Sequence, residues 1–203
     1  MKKENNYDFW FNNPEFDEHD QFGEKYYVNN FYKDIVFNLD IPDNGYIVVM
    51  GTARAVSFDL LCQKYGKERC IGYDLYNPSD HPRIVVKDCS KLSDSDNIPI
   101  AFAHNDIGSI PHTPQLKYNT QVWLMKNIVP GGILLGNNNL NRAKFKFEQL
   151  AIEHGFKNTQ FLDLPKKLFF APNLNVSMER NKTNETVKDI IVKNTVIFLF
   201  NKD

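Results

Sequence analysis

The chain has 203 residues, with 24 Lys and Arg against 25 Asp and Glu, so its formal net charge is -1. This length fits one domain with a short appendage, and it allows a core large enough to fold without disulfides or metals. The near-neutral charge argues against a general nucleic-acid binder, and no apolar run approaches the roughly 18 residues that a membrane span needs.

The N-terminus and the cysteines indicate a cytoplasmic protein. The opening sequence MKKENNYDFW has a charged start but no apolar stretch behind it, so we expect no secretory signal. Cys62, Cys70 and Cys89 are odd in number and form no C-x-x-C pair. Free thiols in a reducing compartment are therefore expected.

Residues 1–40 differ from the rest because they are rich in aromatic and acidic side chains. Within them, Tyr27, Phe31 and Ile35 recur at helical spacing, which predicts a helix over 24–37. Two interpretations stay open: a helical cap packed on the core, or a lid over a binding cleft. Residues 41–203 are predicted to form the main domain.

From Gly45 onward, short apolar runs alternate with helical patterns. The predicted strands are 46–50, 70–73, 83–86, 98–103, 133–135, 160–162 and 195–200, and the predicted helices are 55–65, 115–128 and 142–154. This alternation predicts an α/β fold of three layers (α/β/α), with a doubly wound, mostly parallel, seven-stranded sheet. A loop with room for a short strand at 168–171 is predicted over 165–193.

Ligands of an open parallel sheet bind beyond the carboxyl ends of the strands, so the residues there are the candidate site. These residues are Gly51, Thr52 and Ala53; Asp74; Asp88 and Cys89; His104, Asn105 and Asp106; and 136–139. Each also has an ordinary structural explanation. Asp74 and Asp88 can cap turns, and His104 can be a buried core histidine. Their shared position at successive strand ends favours a binding site.

The order of these residues resembles the Rossmann-like S-adenosylmethionine-dependent methyltransferases. The matching features are the turn at Gly51, Asp74 at the end of the second strand, Asp88 after the third, and Pro130-Gly131-Gly132 before the fifth. The resemblance covers about 40–203 and implies an antiparallel final strand at 195–200. It implies that S-adenosylmethionine is held by Met50, Gly51, Thr52, Ala53, Asp74, Leu75, Asp88, Cys89 and Asn105, with His104 and Asp106 as candidate catalytic bases.

The glycine motif is degenerate. Val49 stands where the family has an acid, and Ala53 and Ala55 stand where it has further glycines. Ala replaces Gly readily only where φ is negative. In the metal-dependent branch, acids follow the fourth and fifth strands, whereas this chain offers Asp106 with Asn137 and Asn138. Such a set binds Mg²⁺ weakly, so no tightly held metal is expected.

Three functions compete. The first is a methyltransferase acting on a small-molecule or protein substrate, with nucleic acid disfavoured because phosphate contacts normally need a basic face. The second is a module that keeps the fold and has lost the reaction. The third is a nicotinamide-dependent oxidoreductase, although GTARAV keeps only the first glycine of that fingerprint. No feature of the sequence indicates a membrane partner or an oligomeric state.

Overall fold

The computed structural model describes residues 32, 35–52, 55–107, 114–139, 142–162 and 195–203. Within these residues, seven strands form one sheet. They are β1 (Tyr46–Met50), β2 (Cys70–Asp74), β3 (Ile84–Val86), β4 (Ile100–Asn105), β5 (Ile128–Asn139), β6 (Phe156–Leu162) and β7 (Thr195–Lys202).

The strand order is β3-β2-β1-β4-β5-β7-β6. β7 runs antiparallel to both of its neighbours, β5 and β6, whereas the pairs from β3 through β5 are parallel. The predicted mostly parallel sheet of seven strands with an antiparallel C-terminal strand is therefore confirmed.

Helices cover both faces of the sheet. They are α1 (Val56–Tyr65), α2 (Pro114–Asn127) and α3 (Arg142–Glu153). Alternate residues of β1 point to opposite faces: Val49 packs in a cluster with Phe58 of α1, and Met50 packs in a cluster with Leu124 of α2 and Leu150 of α3. Three layers result, as predicted. No helix of the described ranges is long and apolar enough to cross a membrane.

Several strands extend further than predicted, among them β4 and β5. β4 continues through His104 and Asn105, two residues past its expected end. β5 begins at Ile128, which pairs with Ile100, so Pro130-Gly131-Gly132, which was expected before the fifth strand, lies inside it. Gly131 has a φ of +77°, and a Cβ on Gly132 would lie 2.8 Å from the carbonyl oxygen of Val129. The glycines therefore allow a tight irregularity in a paired strand.

Several predicted features lie wholly or partly outside the described residues. Of the helix predicted over 24–37, only Tyr32 and 35–37 are described, and a 3-10 helix spans Val36–Asn38 there. The loop over 165–193, with its short strand at 168–171, lies outside them. The choice between cap and lid, and the division at residue 40, remain predictions. The three cysteines are free and buried.

Candidate functional site

The carboxyl ends of β1, β2 and β4 meet at one edge of the sheet. The chain runs outward from β1 to β3 and returns to β4 beside β1, so the strand order reverses between β1 and β4. The amide of Gly51 donates to the carbonyl oxygen of Tyr73 (2.8 Å), and the amide of Asp106 donates to that of Met50 (2.9 Å). The turn after β1 thus lies between the ends of its two neighbours, where open α/β sheets bind ligands.

Gly51 is required by the closeness of the segment that follows β4. Its φ is +83°, and a Cβ there would lie 3.2 Å from the carbonyl carbon of Asp106 and 3.4 Å from the nitrogen of Ile107. Both the backbone conformation and the packing favour glycine. The turn is consequently held against the β4 loop without any side chain between them.

The same turn departs from the glycine-rich pattern further along. Ala55 precedes α1 with a φ of +67°, so the alanine occupies a left-handed conformation in which glycine is favoured. The buried hydroxyl of Thr52 has no hydrogen-bond partner among the described residues. Ala53 lies outside the described residues. The turn therefore combines backbone strain at Ala55 with a buried hydroxyl on Thr52 that has no partner within the described part of the chain.

Asp74, at the end of β2, is buried, with 6% of its surface exposed. Its Oδ1 accepts hydrogen bonds from the amides of Leu75 (2.7 Å) and Tyr76 (3.3 Å), which draws the carboxylate back over its own backbone. Leu75 and Tyr76 themselves are 42% and 43% exposed. A buried carboxylate is thus bordered by two exposed, largely apolar side chains.

Asp88 caps the 3-10 helix Cys89–Lys91, which was the structural explanation considered for it. Its Oδ1 accepts from the amide (3.0 Å) and the hydroxyl (2.6 Å) of Ser90, and this bonding lowers the pKa of the carboxyl. Burial, followed by the nearby charges of Asp74 and Asp88, raises the pKa of the Cys89 thiol to about 12. Asp74, Asp88 and Cys89 accordingly lie close together at the ends of β2 and β3.

His104 lies inside β4 and is fully buried. Its Nδ1 shares a hydrogen bond with the hydroxyl of Tyr32, and the two rings meet edge to face with centroids 5.7 Å apart. Burial lowers its pKa to about 3, so the imidazole is neutral at pH 7. The expected role of His104 as a base facing the substrate stays a prediction, and its burial does not support it.

Asn105 and Asp106 take different positions after His104. Asn105 is buried and donates from Nδ2 to Oε1 of Gln121 on α2 (2.7 Å), whereas Asp106 is partly exposed beside Gly51. The side chains of Asn137 and Asn138 lie outside the description. Among the described residues, no group of three or more His, Cys, Asp and Glu side chains could hold a metal ion. The prediction that no metal is tightly held stays untested.

Two residues near the strand ends, Tyr32 and Gln121, were not identified as site residues from the sequence. Tyr32 stood among many aromatic residues with nothing to distinguish it. Gln121 is wholly buried on α2, although a glutamine normally marks an exposed position. Trp123, also on α2, packs in the core cluster beside the sheet and donates from Nε1 to the carbonyl oxygen of Ser93 (3.2 Å).

Solved structures of methyltransferases have a similar arrangement. A chain from the complex between the Haloferax volcanii Trm112 methyltransferase activator and a methyltransferase superposes with a TM-score of 0.56 at 11% identity, over 88% of this chain and 90% of that one. The N-methyltransferase NodS from Bradyrhizobium japonicum WM9, in complex with S-adenosyl-L-homocysteine, gives 0.53 at 8% identity, over 97% and 96%.

The geranyl diphosphate C-methyltransferase of Streptomyces coelicolor A3(2), with Mg²⁺, geranyl diphosphate and S-adenosyl-L-homocysteine, gives 0.55 at 11% identity, over 96% of this chain and 88% of that one. Scans of the sequence against protein-family models and against curated proteins find no match. At such low identity the likeness concerns the fold. This chain has the fold of the Rossmann-like S-adenosylmethionine-dependent methyltransferases.

Proposed function

We propose that this protein binds S-adenosylmethionine and transfers its methyl group to a small-molecule or protein acceptor. The hydrogen bond from the Gly51 amide to the Tyr73 carbonyl oxygen carries the proposal, because it holds the glycine turn directly beside Asp74. A glycine turn and a carboxylate in this relation suit a nucleoside: the turn admits it close to the backbone, and the carboxylate accepts hydrogen bonds from its ribose.

The surrounding residues fit the same ligand. Leu75 and Tyr76 offer exposed apolar surface next to Asp74, against which a flat base can pack. Asp88 and Ser90 lie at the neighbouring strand end and provide polar atoms. The buried hydroxyl of Thr52, without a partner among the described residues, is a further polar atom at the turn. Met50, Ala53, Cys89 and Asn105 complete the proposed cofactor site.

S-adenosylmethionine supplies an activated methyl group on a sulfonium. The protein therefore has to align the acceptor with the S–CH₃ bond and, for a hydroxyl acceptor, remove a proton. Asp106 is better placed than His104 for that proton, because it follows β4 and is partly exposed, whereas His104 is enclosed in the core. We assign Asp106 as the candidate base and keep His104 as the weaker candidate.

Calorimetric titration with S-adenosylhomocysteine tests the proposal. Asp74→Asn keeps the size of the side chain and an oxygen for the two backbone amides, but it removes the charge that favours ribose hydroxyls. We expect its affinity to fall at least about tenfold, the effect of losing a charge-assisted hydrogen bond. Asp80→Asn is the matched control, since it removes the same charge from an exposed position of the following loop.

The possible results separate the competing assignments. No binding by the wild type at millimolar S-adenosylhomocysteine would overturn the proposal. Equal affinity of Asp74→Asn and wild type would show that the ribose assignment is wrong. Tighter binding of NADH than of S-adenosylhomocysteine would favour the oxidoreductase.

A non-catalytic binding module is the second candidate, favoured by the strained Ala55 and the enclosed His104. Both features weaken the case for an intact reaction centre without removing Asp74. Incubation with methyl-labelled S-adenosylmethionine and with fractionated small molecules and proteins distinguishes the two. Binding without label transfer to any fraction supports the module, and transfer that depends on Asp106 supports the enzyme.

A further inference from the structure

Tyr32 and His104 are separated by 72 residues and meet in the core. The Tyr32 hydroxyl bonds to Nδ1 of the imidazole, and both side chains are fully buried. Tyr32 comes from the part of the chain before β1, and it packs in the same cluster as Val36, Val49 and Leu135. The bond therefore joins the region before the sheet to a strand that ends at the candidate site.

The position of His104 bears directly on the turn at Gly51. His104 pairs in register with Val49, and the next residue, Asn105, pairs with Met50. The amide of the following residue, Asp106, donates a hydrogen bond to the carbonyl oxygen of Met50, and the Asp106 backbone lies close to Gly51. His104 thus lies two residues before Asp106, whose backbone contacts Gly51. A movement of the His104 ring would therefore occur close to this contact.

The His104 imidazole has one hydrogen-bond partner among the described residues. Its Nε2 is buried without a hydrogen-bond partner among the described residues, so the Tyr32 hydroxyl is the polar contact that the described structure gives this ring. A buried ring nitrogen without a hydrogen-bond partner is energetically unfavourable. Without the Tyr32 hydroxyl, Nδ1 would also lack a hydrogen-bond partner among the described residues.

We propose that Tyr32 is a positioning residue of the candidate site, whose hydroxyl fixes the His104 ring and thereby holds the 105–107 segment against Gly51. The ligand part of this inference rests on the proposed function; the structural part does not. Tyr32 acts on the Gly51 turn indirectly, through His104 and the end of β4, and does not itself touch the reacting atoms.

Amide hydrogen exchange of Tyr32→Phe tests the structural part. The Asp106 amide is expected to exchange about tenfold faster, the change that follows from loss of one buried hydrogen bond, while the amides of α1 keep their wild-type rates. Tyr65→Phe is the matched control. It removes a tyrosine hydroxyl on the same face, at the far end of α1, where Tyr65 packs edge to face on Phe37. This control should leave Asp106 unchanged.

Unchanged exchange at Asp106 in Tyr32→Phe, or equal acceleration in Tyr65→Phe, would overturn the inference. A second measurement uses the wild type alone, so it does not depend on the stability of any variant. In the wild type, ¹⁵N NMR of His104 should show one neutral tautomer from pH 6 to pH 8, and exchange between two tautomers would contradict a fixed ring.

Titration with S-adenosylhomocysteine completes the test. Tyr32→Phe should bind this probe about fivefold more weakly than wild type and Tyr65→Phe, and equal affinities would overturn the link to the ligand. Failure of the wild type to bind would instead overturn the proposed function, and the exchange rates would still decide the role of Tyr32.

Discussion

Lys202 of β7 donates from Nζ to the carbonyl oxygen of Met125 in the last turn of α2, at 3.0 Å. The carbonyl groups of a final helical turn lack partners within the helix and carry partial negative charge. A cation from another element therefore stabilises this end of α2. The same ammonium lies 5.7 Å from the centroid of the Phe156 ring. The contact joins α2, β6 and β7 at one point.

Replacement of this cation should destabilise the fold. Lys202→Met keeps the length of the side chain but removes the bond to Met125, and we expect a loss of about 1 kcal/mol in the free energy of unfolding by urea. Lys157→Met is the control, because Lys157 is largely exposed where it pairs with Asp203 and such pairs contribute little. Equal losses in the two variants would show that the helix contact is unimportant.

A comparison of Gly51 with Gly66 distinguishes the energetic cost of an unfavourable backbone conformation from the cost of close packing. Both have positive φ, +83° and +91°, but an added Cβ meets the Asp106 backbone only at Gly51 and nothing within 4 Å at Gly66. Gly66→Ala should cost about 1 kcal/mol from conformation alone. Gly51→Ala should cost at least about 1 kcal/mol more, because the β4 loop has to move.

Affinity provides a second comparison for the same pair. Gly51→Ala should weaken S-adenosylhomocysteine binding, whereas Gly66→Ala should bind as wild type does. Thermal unfolding measures the first effect and calorimetry the second. If the two variants prove equally stable and bind equally well, the tight contact between Gly51 and Asp106 has no energetic importance.

Stability should fall as the pH drops below about 6.5 because of His104. Its pKa is about 3 in the folded state and near 6.5 when exposed, so the unfolded chain binds the proton first. The stabilisation is complete above pH 6.5 and is lost as the pH falls toward 3. Between pH 7 and pH 5 this linkage amounts to about 2 kcal/mol.

Urea unfolding at the two pH values measures this loss. His104→Gln does not titrate, so it should lose about 2 kcal/mol less than wild type over the same interval. His154→Gln is the comparison variant, because burial also lowers the pKa of His154, which is only partly buried. If His104→Gln keeps the full wild-type loss, the titrating group lies elsewhere.

The strands of the core could be predicted because strands buried on both faces are apolar throughout, as in β1. The same criterion failed at the end of β4. His104 and Asn105 are polar and were therefore placed after the strand, but Tyr32 and Gln121 supply their hydrogen bonds inside the fold. Both partners are distant in sequence, so no local pattern indicates them.

The candidate site was predictable in outline and not in geometry. The spacing of Gly51 and Asp74 places both at strand ends, and the structure puts them side by side. The burial of Asp74 and its hydrogen bonds from the amides of Leu75 and Tyr76 are not evident from the sequence. Likewise, Pro130-Gly131-Gly132 is typical of a turn, and only the pairing of Ile128 with Ile100 makes it part of a strand.

The position of β7 between β5 and β6 also sets an order of assembly during synthesis. Among the described strands, β6 does not pair with β5, and it joins the sheet through β7, which follows it after more than thirty residues of chain. During synthesis on the ribosome, this edge of β5 therefore gains its partner in the described sheet only when residues 195–202 have emerged. Open edges attract other unpaired strands. The nascent chain is most exposed to misassembly over this interval, when β1 to β5 can already be paired.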